Sequence, residues 1–251
     1  MRHTAVLVLG FAALLAGSTA AGAEASDERV RALRERAHLV NGFSAELAVR
    51  AGGATQSGTL VFLAPDRVHM EMKVPGLGEQ RVISDGRTLW TITPQGKLAT
   101  KVDLVAVQKS WHRPLTNQAT AIRDVFEALK PDTIRWIQTE KVHGTKTELF
   151  EGVPETGVNA ARDARLPDRM RAWVGEDGLL RRQVLMRGKE VLMDATFTIQ
   201  DTNPHIRPGL FSFHPPKGYE VQDLTQTTLE SLRSLEKGER GEKGGEKGEK
   251  G

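Results

Sequence analysis

One stretch decides the fold of this 251-residue chain: residues 67–74, Arg67-Val68-His69-Met70-Glu71-Met72-Lys73-Val74. Apolar and polar residues alternate along it without exception. Successive side chains of a β-strand point to opposite faces, so the apolar residues share one face of a strand and the polar residues the other. One buried face and one solvated face is typical of an antiparallel sheet. We therefore predict a strand over 67–74 with an apolar face made of Val68, Met70, Met72 and Val74.

Segments of the same kind lie on both sides of residues 67–74. Turn-forming residues separate them, for example Pro75-Gly76, Asp85-Gly86 and Pro94-Gln95-Gly96. Such residues at this spacing favour tight turns between short strands and predict an antiparallel meander. The predicted strands are 43–50, 58–63, 67–74, 80–84, 88–93, 97–102, 133–138, 146–150, 170–174, 179–186 and 190–199.

The apolar face of residues 67–74 can extend to neighbouring strands. Leu60 and Phe62 precede it, and Trp90 and Ile92 join the same face if the meander curls. An apolar face of this kind is either a plain core or the lining of a lipid cavity, since methionine is flexible enough for ligands of variable shape. Alternation alone does not separate the two interpretations.

Two segments have helical periodicity. Residues 26–41 place Val30, Leu33, Ala37 and Val40 at spacings near 3.6, and the pattern ends near Asn41-Gly42. Leu115–Leu129 carries a second apolar stripe, which Lys130-Pro131 ends. Residues 151–168 lack periodicity and predict a long loop.

The composition excludes several function classes. The formal net charge is only +3 and aromatic residues make up 5%, which argues against nucleic-acid binding. The chain contains no cysteine, so disulfides, thiolate metal sites, cysteine nucleophiles and a lipidated N-terminal cysteine are excluded.

The two ends of the chain differ from its middle. Arg2, an apolar run over 5–16 and the small residues Ala21-Gly22-Ala23 predict a cleaved signal peptide over 1–23 and a periplasmic, exported, soluble protein. Residues 236–251 hold only glycine and balanced charge, which predicts a disordered tail. Residues 24–235 remain as one domain, which we expect to be a monomer.

The chain offers no catalytic constellation. Its seven histidines are scattered without a His-Glu-x-x-His pattern, so we expect no metal site and no cofactor. Ser84-Asp85-Gly86 is interpreted as a hairpin turn and not as a nucleophile. We expect no enzymatic activity.

Four segments in order resemble the periplasmic outer-membrane lipoprotein carriers, the LolA-like family. The most specific is Val82-Ile83-Ser84-Asp85-Gly86-Arg87-Thr88-Leu89-Trp90, followed by Thr93-Pro94, which is similar to the hairpin of that family. The others resemble its helix-to-strand junction, its paired strands around a proline, and its C-terminal strand and turn. These are Val40–Ala45, Gly58–Pro65 with Arg67 and Glu71, and Phe211–Gly218 followed by Val221 and Asp223.

The resemblance implies a mainly β fold: an incomplete, strongly bent antiparallel barrel with helices covering its concave apolar face. It also implies that acyl chains of lipoproteins lie between sheet and lid, delivered by an inner-membrane donor complex and passed to an outer-membrane acceptor. By analogy the lipid-binding groove is lined by Leu60, Phe62, Val68, Met70, Met72, Trp90 and Ile92.

One departure from the family pattern concerns the lid. Many of these carriers have an arginine before the proline that corresponds to Pro65, where it hydrogen-bonds the lid shut, whereas this chain has Ala64. Either the lid is held by other residues or the ligand differs. Two other functions fit the same fold: an envelope-stress module that senses lipoproteins or lipids, and a carrier of glycolipids.

Overall fold

The computed structural model describes residues 16–111, 123–155, 167–207 and 209–234, with the side chains of 16–25 left aside. Twelve described strands form one open, strongly curled sheet in the order β12-β6-β5-β4-β3-β2-β1-β11-β10-β9-β8-β7. All neighbouring strands are antiparallel except β12 and β6, which are parallel. The predicted mainly β, incomplete antiparallel barrel with helices over its concave apolar face is confirmed.

The strands of the sheet run over the following residues. They are β1 Gly42–Ala51, β2 Ala54–Leu63, β3 Arg67–Val74, β4 Gly78–Ser84, β5 Thr88–Thr93, β6 Leu98–Asp103, β7 Arg135–Val142, β8 Thr145–Gly152, β9 Arg169–Gly175, β10 Leu180–Arg187, β11 Glu190–Asp201 and β12 Glu220–Asp223. The predicted bounds of β3 and β5 are confirmed to the residue. Strand β12 was not predicted as a strand of its own, because four residues are too few for alternation to be informative.

The helices agree less well with the prediction. Helix α1 covers Ala16–Leu39 and begins ten residues before the predicted start, in an alanine-rich stretch with high helix propensity. Helix α2, Leu104–Ser110, was not predicted and is capped by the Asp103 carboxylate, which accepts from the Ala106 amide. Residues 225–234 form a third helix, α3. No helix among the described residues is long and apolar enough to cross a membrane.

Part of the predicted helix Leu115–Leu129 lies outside the described residues, as does part of the predicted loop 151–168. Where the helix prediction can be checked, Val125–Ala128 is a 3-10 helix, and a second one follows at Pro131–Thr133. Residues 1–15 and 235–251 are likewise outside, so signal-peptide cleavage and the nature of the tail remain predictions.

Two layers of packing cover the two faces of the sheet. The inner face carries the main core, in which Phe43 and Phe62 stack with ring centroids 5.4 Å apart. Helix α1 lies over this face and contributes Leu33 to the same core. Burial of this face on folding is the principal stabilisation of the domain, since the free energy gained is roughly proportional to the apolar area removed from water.

A strap formed by residues 204–207 and 209–219 crosses the outer face of β3 to β6. His69 Nδ1 donates to the Leu210 carbonyl oxygen at 2.8 Å, and the Phe213 ring meets the Trp90 ring edge-on at 5.3 Å. The predicted strand at the start of Phe211–Gly218 is wrong, because residues 212–216 have no regular structure. The side chains of the strap pack on the outer face of the sheet, so the backbone of the strap adds no strand to the sheet.

Candidate functional site

Five of the seven predicted groove residues lie together on the inner face. Leu60, Phe62, Val68 and Met72 are buried in the main core, and Met70 is half-buried against it. The pairing of β2 with β3 brings them together, with Phe62 opposite Val68 and Leu60 opposite Met70. Residues directly opposite each other in neighbouring strands share a face, so these side chains form one apolar surface.

The prediction that Trp90 and Ile92 share this face is wrong. The hairpin through Asp85-Gly86 pairs Ser84 with Leu89, and Ile83 therefore stands opposite Trp90. This register places Leu89 on the inner face and sends Trp90 and Ile92 to the outer face. There they form a separate cluster with Ile83, Ala99, Phe213 and Tyr219.

Several inner-face residues were not included in the predicted groove. Phe43 and Leu47 on β1 stand opposite Phe62 and Gly58, and Leu47 also faces Phe197 on β11. Their alternation was visible in the sequence. The sequence did not indicate that β1 pairs with β11, because no local pattern shows which strands become neighbours in a sheet.

Helix α1 and the lid segment, residues 123–134, cover the inner face. Val125, Phe126 and Leu129 of the lid segment are buried in the same core as Leu33 of α1. The Phe126 ring meets Phe150 of β8 edge-on, with centroids 5.0 Å apart. The cover is therefore apolar on its underside.

A polar latch at Asp124 joins the two parts of the cover. The Asp124 side chain is 3% exposed and accepts from Arg34 Nε of α1 at 2.7 Å and from the Phe126 amide at 3.1 Å. His38 Nε2 lies 3.4 Å from the same carboxylate. Arg123 donates to the His38 carbonyl oxygen at 2.9 Å and so binds the last turn of α1.

Ala64, where the chain departs from the family pattern, makes one backbone hydrogen bond and an apolar contact. The Ala64 amide donates to the Asn41 carbonyl oxygen at 2.7 Å, and its methyl group packs against the main core. Alanine supplies no side-chain donor for a lid. Within the described residues, the side-chain contacts between α1 and the lid segment instead include those of Arg34 and His38 to Asp124, of Arg34 to Glu127, and of Arg123 to the His38 carbonyl oxygen.

Glu127, whose side chain is 38% exposed, is the member of the latch with a shifted pKa. Burial raises the pKa of its carboxyl above the ordinary value of 4.5, and the neighbouring Asp124 charge adds to the increase. A carboxyl whose pKa is raised by folding favours the folded state below its unfolded pKa, and that contribution is lost as pH rises through the folded pKa. At neutral pH, where the carboxyl is ionised, this contribution is absent, although the carboxylate lies 3.8 Å from Arg34.

We expect Glu127→Gln to raise the melting temperature at pH 7 and to leave it nearly unchanged at pH 4, where the wild-type carboxyl is largely protonated. Thermal melts of both proteins between pH 4 and pH 8 measure this. Glu35→Gln, on the exposed surface of α1, is the matched control and should give no pH-dependent gain. A Glu127→Gln gain that is equal at both pH values would contradict the assignment.

A cleft of about 410 Å³ opens between α1 and the lid segment. Its lining includes the apolar side chains of Val30, Phe126 and Ile134 and the polar side chains of Arg34 and His38. None of the seven predicted groove residues lines it.

Ser84-Asp85-Gly86 is a turn, as predicted. The Asp85 carboxylate accepts from the Arg87 and Thr88 amides, and Ser84 Oγ accepts from the Gly86 amide at 3.1 Å. Gly86 has a φ of 88°, which favours glycine. The residues described by the structure contain no group of three histidine or acidic side chains able to hold a metal ion.

The chain is similar to known proteins in sequence and in fold, although no protein-family model matches it. An outer-membrane lipoprotein carrier protein from Pasteurella multocida is 25% identical over 215 residues, which cover 83% of this chain and 92% of that protein. A crystal structure of an uncharacterized conserved protein from Thermus thermophilus matches with a TM-score of 0.54 at 13% identity, over 79% of this chain and 99% of that one. The resemblance to the LolA-like family is thereby confirmed.

Proposed function

We propose that this LolA-like chain is a periplasmic carrier that binds acyl chains of lipoproteins under a lid and shuttles them from the inner to the outer membrane. The observation that carries the proposal is the inner face itself. It is apolar and belongs to a curled open sheet. The two parts of its cover, α1 and the lid segment, are joined to each other by the polar latch and not by continuous backbone. The relative in Pasteurella multocida supports the choice of cargo.

The energetics suit a carrier. Each buried methylene contributes roughly 0.8 kcal/mol, so a long acyl chain brings on the order of 10 kcal/mol of gross stabilisation. When no ligand is bound, the cover packs on the groove. Part of the stabilisation by the acyl chain is then lost, because the ligand must first displace these apolar contacts. Net affinity is thereby lowered, which helps the ligand pass to an acceptor.

The latch is suited to opening. Arg34 is 43% exposed although its partner Asp124 is buried, so water replaces much of the contact when the two separate. The Asp124 carboxylate is buried and hydrogen-bonded while the cover is closed, and it gains water only when the cover opens. The apolar contacts of Phe126 and its neighbours are the part of the cover that an acyl chain can replace in kind.

Identification of the bound molecule tests the proposal. The chain is purified from its native envelope without detergent exchange, and the extracted lipids and acylated peptides are measured by mass spectrometry. We expect acylated lipoprotein peptides bound to the wild type and absent from Met70→Glu. Recovery of glycolipids would favour the glycolipid carrier, and recovery of a membrane-protein domain without lipid would favour the sensing module.

Export is a separate part of the proposal. We expect the intact mass of the periplasmic protein to correspond to an N-terminus at Glu24, since the small residues before it suit a signal peptidase. A membrane-bound product of full mass would contradict export in soluble form.

A further inference from the structure

The indole Nε1 of Trp136 is the only buried polar side-chain atom without a hydrogen-bond partner in the part of the chain that the structure describes. Buried polar groups of folded proteins are nearly always hydrogen-bonded, because a donor that leaves water without gaining an acceptor destabilises the fold. An indole N–H acts only as a donor. The acceptor that would satisfy it is therefore not supplied by the described residues.

Trp136 lies between the sheet and its cover. In β7 it stands opposite Phe150, which is buried in the main core, and its ring packs against that core. The Arg29 guanidinium of α1 lies over the same ring, with Cζ 4.5 Å from the ring centroid. The Trp136 backbone amide donates to Ser26 Oγ of α1 at 3.0 Å. Contacts with the sheet and with α1 thus hold the indole in place, and its unpaired N–H is enclosed between them.

The polar groups that adjoin the indole are engaged elsewhere. The Glu148 carboxylate accepts from Arg29 Nη1 at 3.0 Å, on the guanidinium that lies over the ring. Ser26 Oγ accepts from the Trp136 backbone amide. Neither oxygen accepts from the indole N–H. The donor is therefore available to an oxygen atom that enters between α1 and β7.

Trp136 lies at one end of the inner face. Its partners in successive strands lead from Phe150 to Val49 of β1. Phe43, which stacks on Phe62, precedes Val49 by about six residues, which is about 20 Å along the strand. The apolar length of the inner face thus extends from the position of the indole toward the two stacked rings.

The cleft between α1 and the lid segment is lined by chain neighbours of the indole and of Arg29. Ile134 precedes Trp136 by two residues, and Val30 follows Arg29 in α1. The volume of the cleft is about 410 Å³. Because a water molecule takes about 30 Å³ of the liquid, the cleft can hold a polar group of several atoms. A ligand oxygen at the indole would have room beside it for the rest of a head group.

We propose that Trp136 is a positioning residue of the groove: its indole N–H donates to an acyl carbonyl oxygen of the ligand and fixes the polar end of the ligand between α1 and β7. This proposal rests on the proposed function and adds to it the residue that orients the ligand. The carbonyl is the polar atom at which every acyl chain ends, so it is the first acceptor beyond the apolar chain. With the carbonyl held at Trp136, the chain lies along the inner face toward Phe43 and Phe62.

The same hydrogen bond favours closure of the cover over a ligand. In the empty closed protein the Trp136 N–H is buried without a partner, whereas a bound carbonyl pairs it. A ligand shifts a conformational equilibrium by the difference between its interactions with the two states. Pairing of the indole therefore stabilises the closed form more when the groove is occupied than when it is empty.

Trp136→Phe tests the role of the donor, because phenylalanine keeps an aromatic ring beside Phe150 and Arg29. Methyl laurate and methyl dodecyl ether displace a fluorescent acyl probe from the wild type and the variant, and only methyl laurate has a carbonyl. The smaller ring affects both ligands alike, so the measured quantity is the ester-to-ether ratio of affinities. We expect this ratio to fall about five-fold in the variant, as the loss of one hydrogen bond requires.

Trp90→Phe is the matched control, since Trp90 is a half-buried tryptophan of the outer-face cluster. It should leave the ester-to-ether ratio unchanged. Infrared spectra of bound methyl laurate give a second readout, because a carbonyl that accepts a hydrogen bond absorbs at a lower frequency than a free one. We expect the ester band to lie lower in the wild type and in Trp90→Phe than in Trp136→Phe. A Trp136 that only packs against the core would not move this band.

The outcomes separate the two proposals. A wild type that binds neither the probe nor methyl laurate overturns the proposed function, and the role of Trp136 with it. A wild type that binds both, while Trp136→Phe changes neither the affinity ratio nor the ester band, leaves the carrier in place and overturns the role of Trp136. If Trp136→Phe does not fold, the wild-type spectrum decides: an ester band at the frequency of methyl laurate in an alkane would contradict the hydrogen bond.

Discussion

Met70→Glu should abolish acyl-chain binding while the protein still unfolds cooperatively. Met70 is half-buried on the inner face opposite Leu60, at the border of the main core. An unpaired carboxylate among acyl chains costs several kcal/mol, which corresponds to a loss of affinity of roughly a hundred-fold or more. In the ligand-free protein the same carboxylate reaches water at this half-exposed position, so the free energy of unfolding should fall only modestly.

Two measurements on wild type and variant check this: displacement of a fluorescent acyl probe and a urea melt. Val61→Glu is the matched control, because Val61 is also half-buried but lies on the outer face of β2, opposite His69. It should retain probe binding. If the wild type never binds the probe and Met70→Glu fails to fold, the inner face is an ordinary core and the carrier proposal loses its physical support.

Ile92→Ala should show the reverse pattern, a large loss of stability with unchanged affinity. Ile92 is 1% exposed in the outer-face cluster with Ile83 and Trp90. Removal of a buried isoleucine side chain typically costs 2 to 5 kcal/mol, and we expect about 3 kcal/mol here. Because the side chain is on the face away from α1 and the lid segment, the folded fraction should bind the probe as the wild type does.

The comparison with Phe62→Ala makes the Ile92 experiment decisive. Phe62 is equally buried but lies on the inner face, where it stacks on Phe43. Loss of the Phe62 ring should reduce both the free energy of unfolding and the affinity for the probe. A native-like Ile92→Ala protein with at least ten-fold weaker probe binding would mean that the outer-face cluster takes part in the groove, contrary to the observed register.

The two variants also bear on how the sheet divides its apolar residues between its two faces. The inner face is covered by the underside of α1 and the lid segment, whereas the outer-face cluster is covered by the strap. Within the strap, the Phe213 ring also meets the Tyr219 ring edge-on, in addition to its contact with Trp90. The outer-face cluster therefore keeps its own packing partners, whatever covers the inner face.

The sequence by itself determined the strands and the fold class. Alternation is a local property, since the side-chain period of a strand is two whatever the strand pairs with. It was sufficient for residues 67–74 and 88–93, and for the inner-face positions Leu60 to Met72. Turn residues such as Asp85-Gly86 are equally local, because their backbone angles depend on their own side chains.

Only the tertiary structure decided which alternate face of each strand is inward. Residues 88–93 alternate whichever way they face, and the pairing of Ser84 with Leu89 sends Trp90 and Ile92 outward. A register change of one residue exchanges the two faces completely, so no local pattern carries this information. The latch is a second example: Arg34 and Asp124 are 90 residues apart, and ion pairing at that separation exists only because the curled sheet brings α1 and the lid segment together.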